Sequence, residues 1–123
     1  MAIAVKSSGV TSPFSARGVE VTDLENTGLN DFLSTSTTVY TFDLDNAANG
    51  AVTYFKLYDS ASPTYGTTEP SLMIKVAAST RAVWSIAQGL KLSTGLSVMA
   101  STVDGPAAGS SPGSNFNCSM VVS

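Results

Sequence analysis

The sequence predicts an all-β antiparallel β-sandwich of about seven strands, with jelly-roll or Ig-like connectivity, behind an extended N-terminal arm. Three observations predict it. Apolar residues alternate with polar ones at a period of two in several short runs. Turn residues recur roughly every eight to twelve residues, the spacing of sandwiches and barrels. No segment sustains a helical period over three turns. The 123 residues suit one domain, divided into an arm over 1–17 and a single sandwich over 18–123.

The elements follow in order. The first sixteen residues mix Ser, Gly, Thr and Pro13 around a few apolar positions, which reads as an arm. Gly18-Val-Glu-Val-Thr22 is a short strand, and Asn26, Gly28 and Asn30 then break any helix before it completes three turns. Tyr40, Phe42 and Leu44 alternate with Thr41 and Asp43 as a half-buried strand. Asn46-Ala-Ala-Asn49-Gly50 follows as a hairpin turn, because Asn-Gly tolerates the positive φ that favoured hairpin turns require. On the next strand, over 51–58, Phe55 and Leu57 face the core, Lys56 faces water, and Tyr54 and Tyr58 share the outer side. After a polar loop come Leu72, Ile74 and Val76, then a run over 83–86 that contains Trp84. Leu90 and Leu92, and Leu96, Val98 and Ala100, continue the alternation between Gly89 and Gly95. A Pro, Ala, Gly and Ser loop over 105–113 precedes the last strand, where Phe116, Cys118, Met120 and Val122 point inward.

Composition narrows the function. Charged residues make up 12% of the chain against 43% apolar, where about 25% charged is usual; such a chain folds. The net charge is −3, with six Lys and Arg and no basic cluster, which argues against a phosphate-neutralising surface and so against nucleic acid. No apolar run reaches the ~18 residues of a membrane-spanning helix, and 1–5 is too short for a signal-peptide core. Synthesis in the cytoplasm is the expectation, and the single Cys118 fits a reducing compartment.

Chemical readings of individual motifs are weak. Gly109-Ser-Ser111-Pro-Gly113 has the spacing of a serine-hydrolase elbow, but the chain has no histidine and the motif lacks its strand and helix. Asp43 and Asp45 project from one strand face, with Asn46 and Asn49 near the turn, yet calcium wants about six to eight oxygens; no metal or cofactor is expected. Asn117-Cys118-Ser119 is a formal glycosylation sequon in a strand. Cys118 is expected to act as a small core hydrophobe. Trp84 is expected in the core, with an interface or a sugar-stacking anchor as alternatives.

Binding is the stronger theme. The loop over 60–71 holds Tyr65 beside Gly66, between Pro63 and Pro70, and this stiffness lowers the entropy lost on binding. Tyr65 has two readings, contact with a neighbouring subunit or folding back on its own sheet. Pro63, Tyr65, Gly66 and Pro70 are the loop's candidate interface residues; Lys6, Phe14 and Arg17 are the arm's.

The stretch Tyr54-Phe55-Lys56-Leu57-Tyr58, followed by Pro63-Thr-Tyr-Gly66-Thr-Thr-Glu-Pro70, Leu72-Met-Ile74, Gly89-Leu-Lys-Leu92 and Gly95-Leu96, resembles small structural proteins of tailed bacteriophages. Some of these are similar to the cement proteins that decorate capsids of cyanobacterial phages, often as trimers. The resemblance covers roughly 40–102. It implies a small, non-enzymatic sandwich on the capsid surface, partnered by the major capsid protein and by copies of itself as a homotrimer. A head fibre, neck or tail component and a carbohydrate-binding module are the alternative readings.

Overall fold

The computed structural model describes residues 2–7, 17–30, 33 and 37–123. Eight strands and no helix occur among them: β1 (Ala2–Ser7), β2 (Arg17–Thr22), β3 (Thr37–Asp45), β4 (Thr53–Asp59), β5 (Leu72–Val76), β6 (Arg81–Leu92), β7 (Leu96–Ser101) and β8 (Asn117–Val122). They form two antiparallel sheets, one of five strands in the order β1-β2-β8-β3-β6 and one of three in the order β5-β4-β7. An isolated antiparallel bridge between Leu29 and Val98 extends the smaller sheet beyond β7.

The pairing is nested. With the Leu29 bridge placed between β2 and β3, the first element pairs with the last, β2 with β8, and the second with the next to last, Leu29 with β7. Inside these, β3 pairs with β6 and β4 with β5. Two further pairings, β3 with β8 and β4 with β7, join the four pairs into the two sheets. This is jelly-roll connectivity, which wraps a long folded hairpin into a sandwich. β1 lies outside the scheme as an added edge strand on β2, in register from Ala2 opposite Thr22 to Ser7 opposite Arg17.

Period-two alternation builds the core. Val19, Val21, Val39, Phe42, Leu44, Cys118, Met120 and Val122 of the larger sheet meet Phe55, Leu57, Ile74, Val76, Val98 and Ala100 of the smaller, all buried. Phe42 meets Phe55 edge-on with ring centroids 5.7 Å apart, and Phe116 stacks on the same ring at 6.5 Å. The inward residues expected on β4, β5, β7 and β8 all lie in this cluster or pack against it.

Two expectations fail for physical reasons. The segment 46–50 is not a hairpin, because β3 pairs with β6 and β8 while β4 pairs with β5 and β7. Gly50 has no positive φ. The chain instead crosses between sheets here, and Asn46 holds the crossing together. Its Nδ2 donates to the carbonyls of Ala51, Val76 and Ala77, its Oδ1 accepts from Thr53 Oγ1 at 2.8 Å, and its own N–H donates to Thr80 O. Lys56 does not face water: it is fully buried, covered by the loop over 104–113.

The runs over 83–86 and 90–92 also merge into the single long strand β6. It bulges in the middle, where residues 86–89 oppose Tyr40 alone. Gly89 permits this with φ +78°, and a Cβ there would sit 2.3 Å from Thr38 Cγ2. A side chain has no room.

Candidate functional site

The loop over 60–71 joins β4 to β5 and lies on the outer face of the smaller sheet. The N–H groups of Thr67 and Thr68 both donate to Thr64 O, and Ser71 N donates to Leu57 O. Tyr65 folds back on its own molecule, with its ring edge-on to Tyr58 at 5.3 Å and its hydroxyl donating to Asn30 Oδ1 at 2.7 Å. The ring lies over Gly28, where φ is +72° and a Cβ would come within 2.2 Å of Tyr65 Cζ. Tyr65 thus folds back on its own sheet, with its ring half-buried. Pro63 is buried and Gly66 and Pro70 are half-buried, and within the chain this loop covers Tyr58.

A second loop, over 104–113, completes the cover. Lys56 Nζ donates to Ala107 O at 2.8 Å, Ser101 Oγ to Ala108 O at 2.7 Å, and Asn26 Nδ2 to Gly109 O at 3.0 Å. Burial holds the Lys56 ammonium below its usual pKa, with Asp104 acting in the other direction. Beneath the first loop, Tyr58 is 1% exposed and its hydroxyl has no hydrogen-bond partner. Burial, then Tyr65 and Glu69, push its phenol up to about 12. Asp59 closes the neighbouring turn by accepting from the N–H groups of Ser93, Thr94 and Gly95. The bond from Thr94 is the largest of the effects that hold its carboxyl below the usual range.

The outer face of the larger sheet is open by contrast. A register row runs Ala4, Glu20, Ser119, Asp43, Val83 across all five strands. A shallow hollow of about 360 Å³ lies over Gly18, Glu20, Thr41, Ser119 and Val121. A smaller one of about 170 Å³ adjoins it at Asp45, Arg81 and Asn117. Asp43 receives two bonds from Arg81, both 2.6 Å, and this guanidinium holds its carboxyl below the ordinary carboxylate range. Asp45 Oδ1 accepts from Ala47 N, and Asn46 points into the sandwich end. The oxygens of the Asp43, Asp45 and Asn46 set therefore do not converge. Among the described residues no group of three His, Cys, Asp or Glu is arranged to hold a metal ion.

The remaining sequence candidates separate. Ser111 donates to Asn26 Oδ1 at 2.7 Å and accepts from Asn26 N, so its hydroxyl holds one loop to another. Cys118 is fully buried and burial raises its thiol pKa. Asn117 Oδ1 accepts from Asp23 N. Arg17 opens β2, half-buried, opposite Ser7 and Val122. Lys6 lies in β1 opposite Gly18, remote from the Tyr65 loop in the strand order. Phe14 lies outside the described residues.

Trp84 overturns the core expectation, being 52% exposed. Its register partner Phe42 is in the core, and paired residues share a face, so Trp84 stands on the core side of β6. Ala82, Ile86 and Leu90 of the same strand do pack against the core, so it is Trp84 itself, at the sheet edge, that is left uncovered. On the opposite face Val83 is 68% exposed. The β6 edge thus carries apolar side chains on both faces, a feature hidden in the sequence because its alternation matches that of a buried strand.

The class defined by these features is an all-β jelly-roll sandwich in which loops cover part of the smaller sheet's outer face and one apolar edge has no described strand beyond it. Comparison with protein-family models, curated proteins and solved structures gives no match to this chain.

Proposed function

We propose that this chain is a virion structural protein of a tailed phage, foremost a capsid decoration protein that binds and stabilises the head through protein contacts. One structural observation carries the adhesive part of the reading: Val83 and Trp84, 68% and 52% exposed, sit together on an edge strand. Soluble proteins blunt long apolar edges because an uncovered strand recruits other chains. An edge left apolar on both faces fits a protein whose work is attachment. The phage assignment rests on the resemblance over 40–102, and a jelly roll suits it, since that fold recurs in capsid proteins as well as in lectins.

The mechanism in this reading is burial. Contacts that form only on the assembled head stabilise it by mass action, without a reacting group. The partners are the major capsid protein and further copies of this chain, and the location is the capsid surface after synthesis in the host cytoplasm. Cosedimentation with capsids assembled from the same phage's major capsid protein tests it. Saturable binding at a regular multiple of the capsid's symmetry sites is the expected result; no binding moves the chain to the head fibre, neck or tail. The exposed Trp84 also suits a carbohydrate-binding module, and binding to glycans on an array, with none to capsids, would favour that reading.

A further inference from the structure

We propose that the β6 edge is a self-association surface, at which two copies of this chain pair antiparallel over Arg81–Ser85 about a two-fold axis. This inference rests on the adhesive reading above, names the surface and the partner it uses, and gives a two-fold pair where the family resemblance implies a homotrimer.

The edge offers what strand addition needs. β6 spans twelve residues and is bonded to β3 on one side, and no strand lies beyond it among the described residues. Its N–H and C=O groups on the far side form a template for another strand. The portion over 81–85 pairs with β3 without a register shift; the bulge begins only at residue 86. That portion is regular enough to accept a partner, and the bulge bends the strand away beyond it.

Strand direction selects the occupant. All pairings in the five-stranded sheet are antiparallel, so its two edges, β1 and β6, run the same way. A head-to-tail ring that placed β6 against β1 of the next copy in a continuous sheet would create a parallel pair, the weaker arrangement. Pairing β6 with β6 about a two-fold axis gives an antiparallel one, an isologous contact that closes at two copies.

Charge selects the same occupant. The only charged side chain over 81–85 is Arg81, and antiparallel pairing carries the two copies of it to opposite ends. Each is already neutralised by its own Asp43 through two 2.6 Å bonds. Each Arg81 then lies opposite Ser85 of the other copy, Ala82 opposite Trp84, and Val83 opposite itself, without like-charge apposition. The contact is at the small end of specific interfaces, so the dimer is reversible.

Sedimentation equilibrium of the full chain, across a concentration series in the micromolar range, is the test. The expected result is a rise from the 12.6 kDa chain mass toward twice that value. The double substitution Val83→Lys and Trp84→Lys leaves the backbone intact, and should abolish the rise while circular dichroism and Tm stay as in the parent. A second probe does not depend on that variant. Single cysteines placed in turn at Ala82, Val83 and Trp84 should cross-link best at Val83, the residue on the axis, forming a disulfide between copies under mild oxidation; Cys118 is buried and silent. A wild-type chain that stays monomeric throughout, or a dimer unaffected by both lysines and cross-linked at none of the three positions, overturns the proposal. Capsid binding by a chain that never dimerises would reject this inference and leave the decoration reading standing; dimerisation without capsid binding would do the reverse.

Discussion

Tyr58 sets two opposing effects at one side chain. Its ring packs against Tyr65 under the 60–71 loop, while its hydroxyl is buried with no partner. A buried, unpaired polar group costs about 1–3 kcal/mol. Tyr58→Phe keeps the ring and removes the orphan, so it should raise stability by about 1 kcal/mol in urea unfolding; a loss of that size would reveal a bond to the hydroxyl. The same change has a pH signature. A phenol raised to about 12 from 10.0 contributes stability in full below pH 10, and that contribution is lost as pH rises from 10 toward 12. Tyr58→Phe should therefore flatten this alkaline loss. Asp59 works at the other end of the scale, since a lowered carboxyl pKa contributes stability above the usual value of 3.8 that is lost as pH falls through the folded value. Asp59→Ala should flatten the acid limb of the Tm profile, and an unchanged limb would show that the three N–H bonds do not matter to folding.

At the scale of elements, the crossing between β3 and β4 depends on Asn46, which is fully buried and satisfies three carbonyls and one hydroxyl. Asn46→Ala strands all four groups and should cost about 3 kcal/mol. A cost under about 1 kcal/mol would mean that water replaces the amide. This position also shows what the sequence could carry. Asn-Ala-Ala-Asn-Gly looks like hairpin chemistry whether the chain turns back on itself or passes to the other sheet, and only the partners of the flanking strands decide. Strand identity was legible, because Phe42 with Leu44, Leu72 with Ile74 and Val76, and Phe116 with Cys118 and Met120 state their inner face locally. The second face was not. Lys56 and Tyr58 read as solvent-facing because the loops that bury them come from 60–71 and 104–113. Tyr65 was legible as a stiff loop aromatic, but its docking on Gly28 and Asn30 joins segments some 35 residues apart. Trp84 was misplaced for a related reason: alternation gives a side chain's face but not whether anything covers it there.

For the whole molecule, nesting makes the outermost pair the most distant in sequence, with Arg17 opposite Val122. Closing β2 on β8 requires nearly the whole chain to be in place first, and such non-local pairing slows folding. Stopped-flow refolding should therefore fall in the range of milliseconds to seconds, rather than the microseconds of local topologies; a submillisecond phase carrying the full amplitude would contradict that. The one-sided bonding of β6 among the described strands reaches further than stability. Because β6 is bonded to β3 on one side and to no described strand on the other, every second amide over 81–85 points away from β3 with no described strand beyond it. Hydrogen–deuterium exchange on the dilute protein should therefore show fast and slow amides in strict alternation along this strand, and the fast set alone should slow as concentration rises. The molecule would carry its state of association as a protection pattern of period two, readable without a capsid, a ligand or a label.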